Sequence, residues 1–198
     1  MRTHLLSPNK KRAIEYDDGS SSVSLLDLDH HIAICHYRGY PLTAATWSPS
    51  GDCVAIGSPY KTVRIWNAIT GELMAAHTGV PEQHKGLCRI VSIAWSPDGS
   101  SLAAASTDGT IQVCDILVGD VLSETHLHRA QVVRLAWSPN NRIVASASID
   151  GAVATWEART GNPLKQWECP VLVDRLHWCA VNQLLVESAG QRVQRISV

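Results

Sequence analysis

The sequence has 198 residues, 45% of them hydrophobic and 18% charged, with a formal net charge of −1, which excludes a charge-driven nucleic-acid binder and a disordered chain. MRTHLLSPNKKR at the start holds no apolar stretch of roughly 7–15 residues, and no run nears the roughly 20 needed to cross a bilayer. The six cysteines form no C-x-x-C pair and fall mostly in apolar runs, so the expectation is a reducing compartment, the cytoplasm, with no membrane partner.

In chain order, the first unit opens on Leu6-Ser7-Pro8, passes the turn Asp18-Gly19 and reaches the alternating run Ser22–Asp27. The second opens on Trp47-Ser48-Pro49 and reaches Thr62–Asn67. The third opens on Trp95-Ser96-Pro97, turns at Asp108-Gly109 and reaches Thr110–Asp115. The fourth opens on Trp137-Ser138-Pro139, turns at Asp150-Gly151 and reaches Ala152–Glu157. The fifth opens on the degenerate copy Trp178-Cys179-Ala180.

Trp47, Trp95 and Trp137 are 48 and 42 residues apart, and Trp66, Cys114 and Trp156 each follow 19 residues later. Leu26 and Ile196 take that second position in the outer units. Alternation in period two, rich in β-branched residues, predicts strands, and Asp-Gly between apolar runs predicts hairpins. Gly71, Gly119 and Gly161 mark a further turn. Each unit therefore reads as four short antiparallel strands, with no helical period anywhere. The unit boundaries are roughly 1–37, 38–79, 80–127, 128–168 and 169–198. A sheet of this size cannot bury both faces alone, so the units are expected to stack radially as the blades of one all-β propeller, with the tryptophans between them. Trp167 lies off this register, as a fourth-strand core residue or a surface aromatic.

These residues resemble the WD-repeat (WD40) β-propeller family, in a style like that of bacterial WD-repeat proteins. The resemblance implies a network of a His before strand one, a Ser or Thr in strand two, an Asp in the next turn and a Trp in strand three. In the fourth unit these would be His128, Ser146 or Ser148, Asp150 and Trp156, with the buried carboxylate accepting from the imidazole. The third unit keeps His84 and Asp108 but has Cys114 for Trp. The second has Arg38 at the His position and Tyr60-Lys61 where Asp-Gly would stand, and the fifth has Cys169 at the His position.

The resemblance also implies seven or eight blades, and seven need ~290 residues. The fifth unit lacks a fourth strand, so three ways to close are open. The chain belongs to a longer protein, copies join into one ring as a homo-oligomer through unlatched edges, or five blades close on themselves.

No nucleophile elbow, zinc helix or phosphate loop is present. The Ser-His-Asp set of the fourth unit reads as structural rather than as a triad. The groups His30, His31, Cys35, His36 and Cys169, His177, Cys179 read as turn histidines and core thiols before they read as a metal site. No cofactor and no metal is expected, and the function implied is a non-catalytic scaffold for a protein or peptide partner. A self-assembling module is the alternative, and an enzyme or small-ligand propeller comes third. The rim that would bind carries Arg38, Tyr40, Tyr60, Lys61, Lys85, Arg89, Thr107, Arg129 and Ile149. That set is mildly basic and would suit an acidic or phosphorylated partner.

Overall fold

Short apolar runs separated by turn residues fold strand by strand into local hairpins, with inner strands such as Ser101–Ser106 and Ile143–Ser148 buried on both faces. The computed structural model describes residues 2–17, 22–38, 42–78, 88–169, 172–188 and 191–198. Nineteen strands form among them, and no helix.

The first sheet is β1 (Arg2–Leu6), β2 (Arg12–Asp17), β3 (Ser22–Asp27) and β4 (Ile32–Arg38), in that order. The second is β5 (Ala44–Trp47), β6 (Cys53–Gly57), β7 (Thr62–Asn67) and β8 (Leu73–Thr78). The third is β9 (Ile90–Trp95), β10 (Ser101–Ser106), β11 (Ile111–Asp115) and β12 (Val121–Thr125), and the fourth is β13 (Val132–Trp137), β14 (Ile143–Ser148), β15 (Ala152–Glu157) and β16 (Pro163–Glu168). The fifth has three strands, β17 (Arg175–Ala180), β18 (Gln183–Ser188) and β19 (Gln191–Ser197). These are antiparallel blades of the β-propeller type, each a meander in sequence order.

Strand registers repeat from blade to blade. Leu6 pairs with Ala13 and Ala13 with Leu26. Trp47, Val54 and Trp66 form the same chain of pairs, as do Trp137, Val144 and Trp156, and Trp178, Leu184 and Ile196. The third-to-fourth strand pairing slips by one residue just before Leu26, Trp66, Cys114 and Trp156. A bulge recurring at one repeat position belongs to the design of the blade.

The turn after the first strand is built the same way in four blades. The hydroxyls of Ser96 and Ser138 donate to Asp98 Oδ1 and Asn140 Oδ1 at 2.6 and 2.7 Å, and Ser7 donates to Asn9 Oδ1 at 2.8 Å. Ser48 and Ser50 meet at 3.3 Å. Each of the four Oγ atoms also accepts the backbone N–H five residues on, from Arg12, Cys53, Ser101 and Ile143. The fifth blade has Cys179 here, and its thiol donates to Gln183 O at 3.5 Å.

Two compact units arise, residues 1–90 and 91–198. In the first, Ile14, Val23 and Leu25 of one blade pack on Trp47, Val54 and Ile56 of the next. In the second, Ile111 and Val113 meet Val132, Val144 and Trp156, and Ala145, Ala147 and Val153 meet Leu176, Leu184 and Val186. These layers carry the apolar burial that holds neighbouring blades together. Among the described residues no helix is long and apolar enough to cross a membrane.

Candidate functional site: a cleft on the fourth blade

Three segments of the second unit meet at one end of the fourth blade. The loop joining β12 to β13 supplies Leu127 and Arg129. The turn joining β14 to β15 supplies Asp150, and the edge strand β16 supplies Gln166 and Glu168. Together they line a cleft of about 800 Å³. A recess of about 230 Å³ shares Leu127, Ala152, Gln166 and Glu168 with it and reaches His128 and Trp167.

Backbone geometry fixes these walls. Ile149 N–H donates to Gln131 O at 3.0 Å, which ties the turn to the loop. Gly151 has φ +86°, and a Cβ there would collide with the carbonyl of Cys169, whose own N–H donates to Gly151 O at 2.8 Å. Only glycine lets the turn come this close to the chain leaving β16.

Behind the cleft, His128 is buried, and its Nε2 lies 2.7 Å from Ser146 Oγ. Trp156 Nε1 donates to the same oxygen at 3.4 Å. Ser146 Oγ accepts from the indole and, having a second lone pair and its own proton, can either accept from or donate to Nε2, so both neutral tautomers of His128 fit this tie. His128 Nδ1 has no hydrogen-bond partner among the described residues. Burial lowers the His128 pKa, and the Asp150 charge opposes this in part.

Asp150 corrects the expected network. The carboxylate is exposed rather than buried and does not accept from the imidazole. It accepts the Ala152 N–H at 3.0 Å, which is the main reason its pKa falls below the ordinary carboxylate value. The Ser148 hydroxyl also lowers it, without reaching hydrogen-bond geometry. Asp108 closes its own turn alike, accepting from Thr110 N–H at 3.0 Å and from the Ser106 hydroxyl. The physical reason is local: an Asp two residues before a strand caps the tight turn it starts. The buried tie is therefore His128, Ser146 and Trp156.

The other rim residues are dispersed. Arg38, Tyr60 and Arg89 are exposed in the first unit. Lys61 is buried, 8% exposed, contrary to its expected place on the open rim. It adopts φ +55° at the position where Gly109 and Gly151 stand, a left-handed step that is uncommon for a residue with a side chain. Thr107 is half-buried, and Ile149, 52% exposed, borders the cleft. Tyr40, Lys85 and His84 lie outside the described residues.

Elsewhere, His30 Nδ1 and His36 Nδ1 bond to Asp27 Oδ2 and Ser24 Oγ, at 3.1 and 2.8 Å. No group of His, Cys, Asp or Glu among the described residues is arranged to hold a metal ion. The six cysteines are free thiols, and burial pushes Cys114 up to about 11. Trp167, off the repeat register, both packs on the fourth and fifth blades and lines the recess.

Sequence reasoning missed Gln166 and Glu168. They stand two apart on β16, so they share one face of an edge strand, and that spacing was the available signal.

The blade frame and its turns match a known family. The family model for the anaphase-promoting complex subunit 4 WD40 domain matches residues 45–133 and 124–181. The chain belongs to this WD40 family. The WD40 chain is also 38% identical over 73 residues to actin-interacting protein 1-2 of Arabidopsis thaliana, across 35% of this chain and 12% of that protein. The match thus spans a small part of the relative's length. WD40 repeat domains serve in general as non-catalytic platforms for protein partners.

Proposed function

We propose that this WD40 domain is a non-catalytic interaction scaffold of the cytoplasm whose fourth-blade cleft receives a segment of a partner protein. The observation that carries the reading is the cleft itself. It measures about 800 Å³, and loop, turn and edge strand each contribute polar side chains to it. Concave surfaces with a few convergent polar groups are the default places to look for a binding site. Loops held on a rigid sheet are also where scaffolds carry their contacts. Arg129 and Ile149 would edge the contact. The six free thiols fit a reducing compartment.

The test is quantitative capture of proteins by the full chain and by two charge-reversal variants, Arg129→Glu and Glu168→Lys. Thermal melts establish that both variants fold. Proteins held by the wild type and lost from both variants are the expected result. Equal capture by all three chains would exclude the cleft as the contact.

A further inference from the structure

We infer that the fourth-blade cleft binds a basic side chain, lysine or arginine, presented by an extended peptide. This rests on the proposal that the cleft is the contact site, and it names the chemistry of the occupant.

The first argument is charge. Read along the sequence, the rim is mildly basic. Assembled, the cleft is not: it brings together the carboxylates of Asp150 and Glu168 with the single guanidinium of Arg129. Among the described residues, neither carboxylate has an ion-pair partner within 4.0 Å. Asp150 spends Oδ1 on the Ala152 N–H, and its second oxygen has no such bond. Glu168 ends an exposed edge strand with its carboxylate in solvent. A cation entering the cleft would meet two anions and be opposed by one cation.

The second argument is shape and surface. Leu127 and Ala152 line the cleft beside the carboxylates. Apolar side chains in the same lining as carboxylates suit the methylene stem and charged head of lysine or arginine. A phosphate or carboxylate would instead meet two like charges, which is unfavourable.

The third is a polar atom with no partner. His128 Nδ1 is buried behind the recess that shares four residues with the cleft, and it makes no hydrogen bond. Buried polar atoms are normally satisfied, so this orphan points to a bound molecule or a bridging water near the recess, whatever the charge of the occupant.

The test uses fluorescence anisotropy of the full chain with labelled Gly-Ser peptides that carry two lysines, two arginines, two glutamates or one phosphoserine. The lysine and arginine peptides are expected to bind, more weakly as salt rises. Glu168→Gln should weaken them roughly two- to fivefold, the loss of one exposed charge pair. Arg129→Gln should tighten them, because a repelling charge is removed. That gain is a readout that simple unfolding would not produce. No binding of the basic peptides, or binding indifferent to Glu168→Gln, would overturn the inference. Binding of the glutamate or phosphoserine peptide that is lost in Arg129→Gln would overturn the occupant while supporting the cleft. Equal protein capture by both charge-reversal variants would fail the site itself.

Discussion

Trp137 Nε1 donates to the backbone carbonyl of Ala94 at 2.9 Å, from the first strand of one blade to the first strand of the blade before it. The same bond recurs from Trp178 to Ala136 at 3.1 Å, and from Trp47 to Leu5 at 2.9 Å. The acceptors lie 42 or 43 residues upstream, one repeat away. Trp47, Trp137 and Trp178 are thus bolts between neighbouring blades as well as core. Its ring supplies apolar area, and its N–H fixes where the ring can sit.

Trp137→Phe keeps most of the ring and removes the donor, leaving Ala94 O without it. A loss of about 1 kcal/mol is expected. Trp137→Ala also empties the layer holding Val144 and Trp156, and about 3–5 kcal/mol is expected. Urea unfolding of the two variants measures both. Equal losses would mean that the bond, rather than the ring area, carries the contribution of Trp137.

The repeat frame was legible because its marks are local. Leu6-Ser7-Pro8 keeps no tryptophan, yet Ser7 closes its turn as Ser48, Ser96 and Ser138 do. The assignments of Leu26 and Ile196 to the Trp156 position follow the observed registers. What was not legible depends on distance in space. Asp150 sits two residues from Ser148 and looks like a network member, but the turn points it outward. Lys61 looks like a rim cation in the sequence, yet its side chain is buried. Glu168 belongs to the cleft because β16 runs beside the loop of residues 126–131, which no spacing in the sequence announces.

Stability should fall on acidification through His128. Burial lowers its folded pKa from the ordinary value of 6.5, so the unfolded chain binds the proton first as pH drops. The contribution is fully present above pH 6.5 and shrinks as pH falls below it. His128→Gln should flatten that part of the profile, with stability measured by denaturant between pH 7.5 and 5. The variant should also lose about 1–3 kcal/mol at neutral pH, because Ser146 then lies buried beside a different partner. An unchanged slope between wild type and variant would assign the titration elsewhere.

Gly151→Ala should destabilise more than a surface change could. The residue holds φ +86°, and an added Cβ meets the Cys169 carbonyl. The left-handed conformation alone costs an L-residue about 1–2 kcal/mol, and moving a backbone carbonyl adds to that. Gly109→Ala faces His128 O at 2.6 Å and should cost comparably. Thermal melts check both. A loss below about 0.5 kcal/mol at both positions would mean that the turns can open without the blades noticing.

Trp66 and Trp156 occupy one repeat position in different surroundings. Trp156 has Ser146 to accept its N–H, whereas Trp66 Nε1 is buried with no partner. The cause is one residue: Ile56 stands nine residues after Trp47, as Ser146 stands nine after Trp137. An apolar side chain fills the place of the acceptor. Trp66 is compensated on its ring instead, with Tyr37 tilted against it at 5.5 Å and Arg64 lying over Tyr37. Replacing tryptophan by phenylalanine therefore removes a satisfied donor in one blade and an orphan in the other. Trp156→Phe should cost at least about 1 kcal/mol more than Trp66→Phe, since deleting an unsatisfied buried N–H recovers part of the desolvation penalty. Equal losses in urea unfolding would show that ring volume, rather than the polar end of the indole, decides what each position tolerates.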